Sequence, residues 1–87
     1  MINENLENKM EFKALLNMVP NAVEFVRLAT VYGCDTLVHS CNRKFRVDGT
    51  SIMGILSLDL SLPVIVSVDD NEAGQAFKEA VIKYVVD

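Results

Sequence analysis

The residue best placed to receive chemistry in this chain is Ser51, because its hydroxyl stands directly before a short apolar run, Ile52-Met53-Gly54-Ile55-Leu56. A serine there is a good N-cap: its oxygen accepts a backbone N–H from the first turn of a helix that starts at Ile52. Ile52, Met53, Ile55 and Leu56 are too much apolar surface for one narrow stripe, so some of it buries and some faces outward. A modifiable hydroxyl beside an exposed Ile–Met pair would make a switchable docking patch. The plainer alternative is a short core helix with an ordinary cap, and the residue types alone leave both open.

The remaining reactive side chains are scattered. His39 is the single histidine, lying between Val38 and Ser40 in an extended segment with no base, orienting group or helix N-terminus near it in sequence. That placement suits a solvated or hydrogen-bonded side chain better than a catalytic one. Cys34 and Cys41 are the only cysteines. On one strand rising ~3.3 Å per residue they would be far beyond disulfide reach, and no second Cys or His pair completes a zinc site. Two reduced, structural thiols are expected, with neither metal nor cofactor. Arg43, Lys44 and Arg46 form the only local basic group, expected to keep a hairpin tip and an edge strand soluble. A net charge of −4 argues against direct nucleic-acid binding, which depends on Lys and Arg neutralising phosphates.

The chain has 87 residues and is 51% apolar, enough for one small domain with one core. No apolar run approaches the ~20 residues needed to span a membrane, and the N-terminus lacks a basic-then-apolar leader, so the expectation is a soluble, cytoplasmic protein that does not engage a membrane. Residues 1–8, MINENLEN, are polar and aperiodic and read as a loose or non-native tail ahead of a domain over residues 9–87.

Within that domain, Met10, Phe12, Ala14 and Leu16 alternate with Glu11, Lys13 and Leu15 and predict a strand over Lys9 to Leu16. Pro20 and its flanking asparagines interrupt the alternation; Asn21, with Glu24 three residues on, then caps a helix running to Tyr32, with Gly33 as its stop. Ala22, Phe25, Val26, Ala29 and Tyr32 share one face of it. Cys34 to Cys41 and Lys44 to Asp48 are two extended segments around a turn at Asn42 and Arg43. The inward face of the first is open, since Thr36, Val38 and Ser40 compete with Leu37, His39 and Cys41. After the Ser51 helix, Val64, Val66 and Val68 alternate with the equally apolar Ile65, which predicts a central strand. Asp69, Asp70 and Asn71 offer caps to a last helix whose Ala73, Ala76, Phe77, Ala80, Val81 and Tyr84 form a clear apolar stripe. The string β-α-β-β-α-β-α implies an α+β fold: a four-stranded antiparallel sheet with three helices on one face, the other face open.

This string, with Ser51-Ile52-Met53-Gly54 and Ser57-Leu58 bracketing the short helix, resembles the HPr family, the histidine-containing phosphocarriers of the bacterial sugar phosphotransferase system. SIMGILSLDLS is the most specific part of the likeness, and NAVEFVRLA, Asn21 to Ala29, is similar to the family's first helix. The resemblance spans about residues 9 to 87 and implies an open-faced β-sandwich.

The departure from the family is as informative as the likeness. In HPr proteins the phosphoryl group rides on a histidine just before the first helix, followed by an arginine and a proline. By the resemblance those positions fall on Met18, Pro20 and Asn21, and no histidine precedes residue 39. A thioether cannot attack phosphorus, so a carrier role at that position is not expected. Ser51 matches the serine that an ATP-dependent kinase phosphorylates in some Gram-positive members, where the modified serine and the apolar pair after it dock onto a transcription regulator of carbon catabolite control. A branch of the family, catabolite-repression HPr, also lacks the histidine and keeps the serine. The resemblance thus implies a non-enzymatic regulatory module with Ser51 as phosphorylation site, Ile52, Met53 and Leu56 as docking residues, and a serine kinase and a transcription regulator as partners. The alternatives are a phosphocarrier component of sugar uptake working through His39, or an unmodified paralogue that competes for family partners.

Overall fold

The structure, a computed structural model, describes residues 8–86. Strand β1 (Lys9–Ala14) leads to helix α1 (Val19–Tyr32), the hairpin β2 (Thr36–His39) and β3 (Arg46–Asp48), helix α2 (Ile52–Leu56), strand β4 (Val64–Asp69), helix α3 (Glu72–Ala80), a 3-10 turn (Ile82–Tyr84) and strand β5 (Val85–Val86). The sheet order is β3-β2-β4-β1-β5, with every neighbouring pair antiparallel. Three α-helices on an antiparallel sheet is the expected α+β class; the sheet, however, has five strands and not four.

The fifth strand corrects the reading of the C-terminus. The apolar stripe of α3 continues past the helix: Val81 and Tyr84 are buried, yet the helix ends at Ala80 and the chain tightens into a 3-10 turn. The turn keeps Tyr84 on the core side and aims Val85 and Val86 along β1, where they pair with Ala14 and Lys13. Two residues are too few for alternation to announce a strand.

Helix α1 begins two residues earlier than its sequence suggests. Pro20 sits in the first turn, where its missing N–H would be unpaired in any case and its fixed φ suits a helix. Asn21 is therefore inside the helix, and the Asn21–Glu24 capping pair does not form; Met18 stands at the N-cap without a side-chain bond. At the other end Gly33 adopts φ 68° and its N–H reaches the Ala29 carbonyl at 3.1 Å, the left-handed stop that glycine permits.

The core forms between one sheet face and the helices. Phe12, Ala14, Val38, Val64, Val66 and Val68 meet Phe25, Ala29, Ile55 and Phe77, with the Phe25 and Phe77 rings edge to face at 5.3 Å. Strand β4 is the middle strand and is buried from Val64 to Val68. In β2 the inward residues are Thr36 and Val38; the Thr36 hydroxyl can be buried because it donates to the Cys34 carbonyl at 3.1 Å. Asn71 caps α3 by accepting the Gly74 amide at 2.9 Å. Among the described residues no helix is long and apolar enough to cross a membrane. The tail expected over residues 1–8 falls outside the described residues except for Asn8, whose carbonyl accepts the Asp70 amide at 2.9 Å.

Candidate functional site

A tight turn after β3 delivers Ser51. The Asp48 carboxylate accepts the Thr50 hydroxyl at 2.6 Å and the Thr50 amide at 2.8 Å, and the Asp48 carbonyl accepts the Ser51 amide at 3.1 Å. The Thr50 hydroxyl first, and its amide second, hold the Asp48 carboxyl below its ordinary range. Gly49 packs so closely on Thr36 that a Cβ would fall 2.4 Å from the Thr36 Cγ2, so only a residue without a side chain lets the turn pass there.

Ser51 then has extended backbone (φ −106°, ψ 106°), and its Oγ accepts the Gly54 amide at 3.1 Å, the N-cap bond expected of it. The Ile55 amide reaches the Ser51 carbonyl at 2.9 Å. That bond closes the first turn and leaves the Ile52 and Met53 amides ahead of it without intrahelical acceptors. Ser51 itself is half-buried.

The apolar run divides between core and surface. Ile55 is fully buried, Ile52 packs partly against the core, Met53 is 80% exposed and Leu56 is 43% exposed. Of the three residues expected to dock a partner, Met53 and Leu56 therefore present surface while Ile52 anchors the helix. Gly54 faces Val47, where an added Cβ would lie 3.0 Å from the Val47 Cβ, and this contact helps to hold α2 close to β3.

Met18 occupies the position before α1 with extended backbone, its side chain 59% exposed and its carbonyl accepting the Asn21 and Ala22 amides. Val19 beside it is also 59% exposed, and no acidic side chain lies in the first turn. His39 lies elsewhere, on the face of the sheet turned away from the helices, in register with Ile65 and Arg46. Met18, His39 and Ser51 thus occupy three separate elements.

The thiols differ from one another. Cys34 is buried with its sulfur 3.5 Å from the Thr36 hydroxyl, whereas Cys41 is exposed in the hairpin turn, so the expectation of two structural cysteines fits only the first. Both are free. Among the described residues no group of three or more His, Cys, Asp or Glu side chains could hold a metal ion. A cleft of about 460 Å³ lies by Cys34, Asp35, Asp48 and Thr50, and one of about 390 Å³ by Cys41, Phe45, Leu58 and Leu62; neither is lined by Ser51.

One polar cluster had no signal in the sequence. The Tyr84 hydroxyl donates to the Glu24 carboxylate, and Lys83 Nζ lies 3.0 Å from the same oxygen, tying the 3-10 turn to α1. The Tyr84 hydrogen bond, then Lys83, hold the Glu24 carboxyl below its ordinary range; burial first, then Glu24, push the Tyr84 phenol up. Residues sixty positions apart show no periodicity that could reveal such a contact.

The geometry defines an α+β domain with a short N-capped helix presenting Met53 and Leu56. No family model matches the chain, and no curated protein sequence matches it. Among solved structures, the phosphocarrier protein HPr from Bacillus anthracis str. Ames is similar to it with a TM-score of 0.64 at 21% identity, covering 90% of this chain and 95% of that one. The likeness is one of fold, and it extends over nearly the whole of both chains.

Proposed function

We propose that this chain is an HPr-like regulatory module of the phosphotransferase system that has no phosphocarrier histidine and is switched by phosphorylation of Ser51. It is not an enzyme on this reading; a kinase acts on it and a partner reads the result. The observation that carries the proposal is the pairing of an N-cap hydroxyl with the 80%-exposed Met53 two residues on. The fold likeness to a phosphocarrier supplies the context.

The physics of the switch is local. A phosphate on Ser51 adds roughly −1.5 to −2 charges where the Ile52 and Met53 amides have no intrahelical acceptor, so the added oxygens find donors without unfolding the turn. The Gly54 amide keeps an acceptor. A partner would then read charge and apolar surface together: the phosphate through its own cations, and Met53 and Leu56 through an apolar recess, with Ile52 fixing the helix underneath. A transcription regulator of carbon catabolite control is the partner that the resemblance suggests.

The carrier role at Met18 has no chemical basis, because a thioether offers no nucleophilic nitrogen. His39 as a carrier lacks support of another kind: its cross-strand neighbours are Ile65 and Arg46, with no helix N-terminus in the register around it. An unmodified paralogue that competes for family partners would use the same Met53–Leu56 surface and differs only in its indifference to ATP.

Incubation of the protein with ATP in extract of its native cells, followed by intact-mass measurement, tests the proposal. The expected result is one added phosphate that is absent from Ser51→Ala. No mass shift in an extract with demonstrated kinase activity on its other substrates, or an unchanged shift in Ser51→Ala, would overturn it.

A further inference from the structure

The edge of the sheet at β3 is open, and its sequence is complementary to itself. In the β2–β3 ladder the Gly49 amide reaches the Thr36 carbonyl at 2.8 Å, and the Ser40 amide reaches the Phe45 carbonyl at 2.9 Å. Alternation along an antiparallel pair then assigns Val47 the bonds to Val38 between them, and turns the amides and carbonyls of Arg46 and Asp48 away from β2. Strand β3 is the last on that side of the sheet. Among the described residues only one of these outward groups has a backbone partner: the Asp48 carbonyl accepts the Ser51 amide at 3.1 Å, and its second lone pair can still accept.

The side chains decide what can pair there. Arg46 and Asp48 are exposed on the same face of β3, two positions and ~7 Å apart, too far to engage one another. Among the described residues Arg46 is in no ion pair. Arg43, by contrast, is already taken by Glu11, its terminal nitrogens 2.7 and 3.2 Å from the carboxylate oxygens. Asp48 Oδ1 receives both Thr50 bonds, which leaves Oδ2 to meet a cation.

We propose that β3 pairs with β3 of a second copy of this chain, antiparallel about a two-fold axis at Val47, joining two five-stranded sheets edge to edge. In that register each Arg46 stands directly opposite Asp48 of the other copy, ~5 Å away between Cβ atoms, and the two residues exchange the outward amide and carbonyl bonds. Phe45, 63% exposed, falls opposite Gly49 of the other copy, where no side chain opposes the ring. Charge and backbone select this register over its neighbours. Sliding by two residues one way sets Arg46 against Arg46 on the axis and calls on the Lys44 amide, which already donates to Asn42 Oδ1 at 2.9 Å. Sliding the other way sets Asp48 against Asp48. The charges that guard the edge against other strands thus fit a second copy of it. Pairing of β3 with itself also closes at two copies, whereas β3 on the two-residue β5 at the opposite edge would propagate without end.

A ladder of three residues per copy buries less surface than a permanent dimer, so a dissociation constant of about 0.2 mM is expected. The test is a dilution series of the ¹⁵N-labelled full chain between about 0.02 and 2 mM, with translational diffusion measured on the same samples. Amide shifts that follow concentration at Arg46, Val47 and Asp48, with diffusion slowing as they move, are the expected result. Arg46→Glu puts two carboxylates into each cross-strand pair and should weaken association by about thirtyfold, which removes the concentration dependence from this range. Asp48→Asn keeps the Oδ1 acceptor for Thr50 and should weaken it by about fivefold. A spectrum and diffusion coefficient indifferent to concentration, shifts centred on another surface such as Met53 and Leu56, or association of Arg46→Glu equal to that of wild type would overturn the proposal.

Discussion

Replacing Ser51 separates the cap from the switch, and the structure sets the size of the effect. In Ser51→Ala the Gly54 amide loses its acceptor at 3.1 Å. Gly54 and Ser51 are both half-buried, so water reaches the freed N–H in part and the cost should be near the middle of the N-cap range, about 1 kcal/mol. Because α2 has only five residues and seats the fully buried Ile55, the loss is felt by the whole domain rather than by local fraying. In Ser51→Asp the acceptor remains. The added negative charge gains about 0.5 kcal/mol at the helix N-terminus, and repulsion from the Asp48 carboxylate in the preceding turn offsets part of it. Urea unfolding followed by circular dichroism reads the difference. With a slope of about 1 kcal/mol per molar, the alanine variant should unfold about 1 M earlier than wild type, while the aspartate variant stays within about 0.5 M. A neutral alanine variant would refute the energetic weight given to the cap, and an aspartate variant as weak as alanine would refute the claim that charge at this position leaves the fold undisturbed.

Met53→Ser should leave stability within about 0.5 kcal/mol, because the side chain is 80% exposed, yet abolish partner binding; coincident urea curves together with lost binding check both halves. Gly74→Ala should destabilise by about 2–3 kcal/mol, since a Cβ there would lie 1.8 Å from the Asp69 carbonyl oxygen at the start of α3; a thermal melt lowered by at least 10 °C is the expected readout. Tyr84→Phe removes the largest cause of the depressed Glu24 pKa, so the carboxyl should titrate closer to its ordinary value when followed by ¹³C NMR. The sign follows from the depression: the Glu24 contribution is present above the unfolded carboxyl pKa and is lost as pH falls through the lower folded value. The Tyr84→Phe variant should accordingly show a shallower loss of stability on acidification than wild type.

What could be read in advance follows the range over which each physical signal acts. The Asn71 cap and the doubly apolar β4 are properties of contiguous residues and stand in the structure as expected, as does the α3 stripe up to Ala80, while Val81 and Tyr84 lie past the end of that helix. Sequence-local rules misplaced the start of α1, because Pro20 serves as a first-turn residue as readily as a turn residue, and the tertiary setting decides between them. Strand β5 exists only because β1 offers an unpaired edge to Val85 and Val86, a condition that two residues do not carry within themselves. The face of β2 was undecided for a similar reason. Thr36 turns inward because Cys34 gives its hydroxyl an acceptor, and His39 turns outward to face Arg46 across the hairpin.

At the candidate site, the Ser51 cap was legible from one residue type before an apolar run. The division between a seated Ile52 and an exposed Met53 was not, since both are equally apolar and only the rotation of α2 against α1 and β3 distinguishes them. The grip of Arg43 on Glu11 and of Tyr84 on Glu24 joins residues distant in sequence, and no spacing rule reaches that far.

The central claim, that the chain presents a serine switch and carries no phosphohistidine, is tested most directly by mapping phosphate on the protein isolated from its native cells under neutral conditions. The account predicts an acid-stable phosphate on Ser51 and none on the neighbouring hydroxyls of Thr50, Ser57 or Ser61. An acid-labile phosphate on His39, or acid-stable phosphate confined to another hydroxyl, would contradict it.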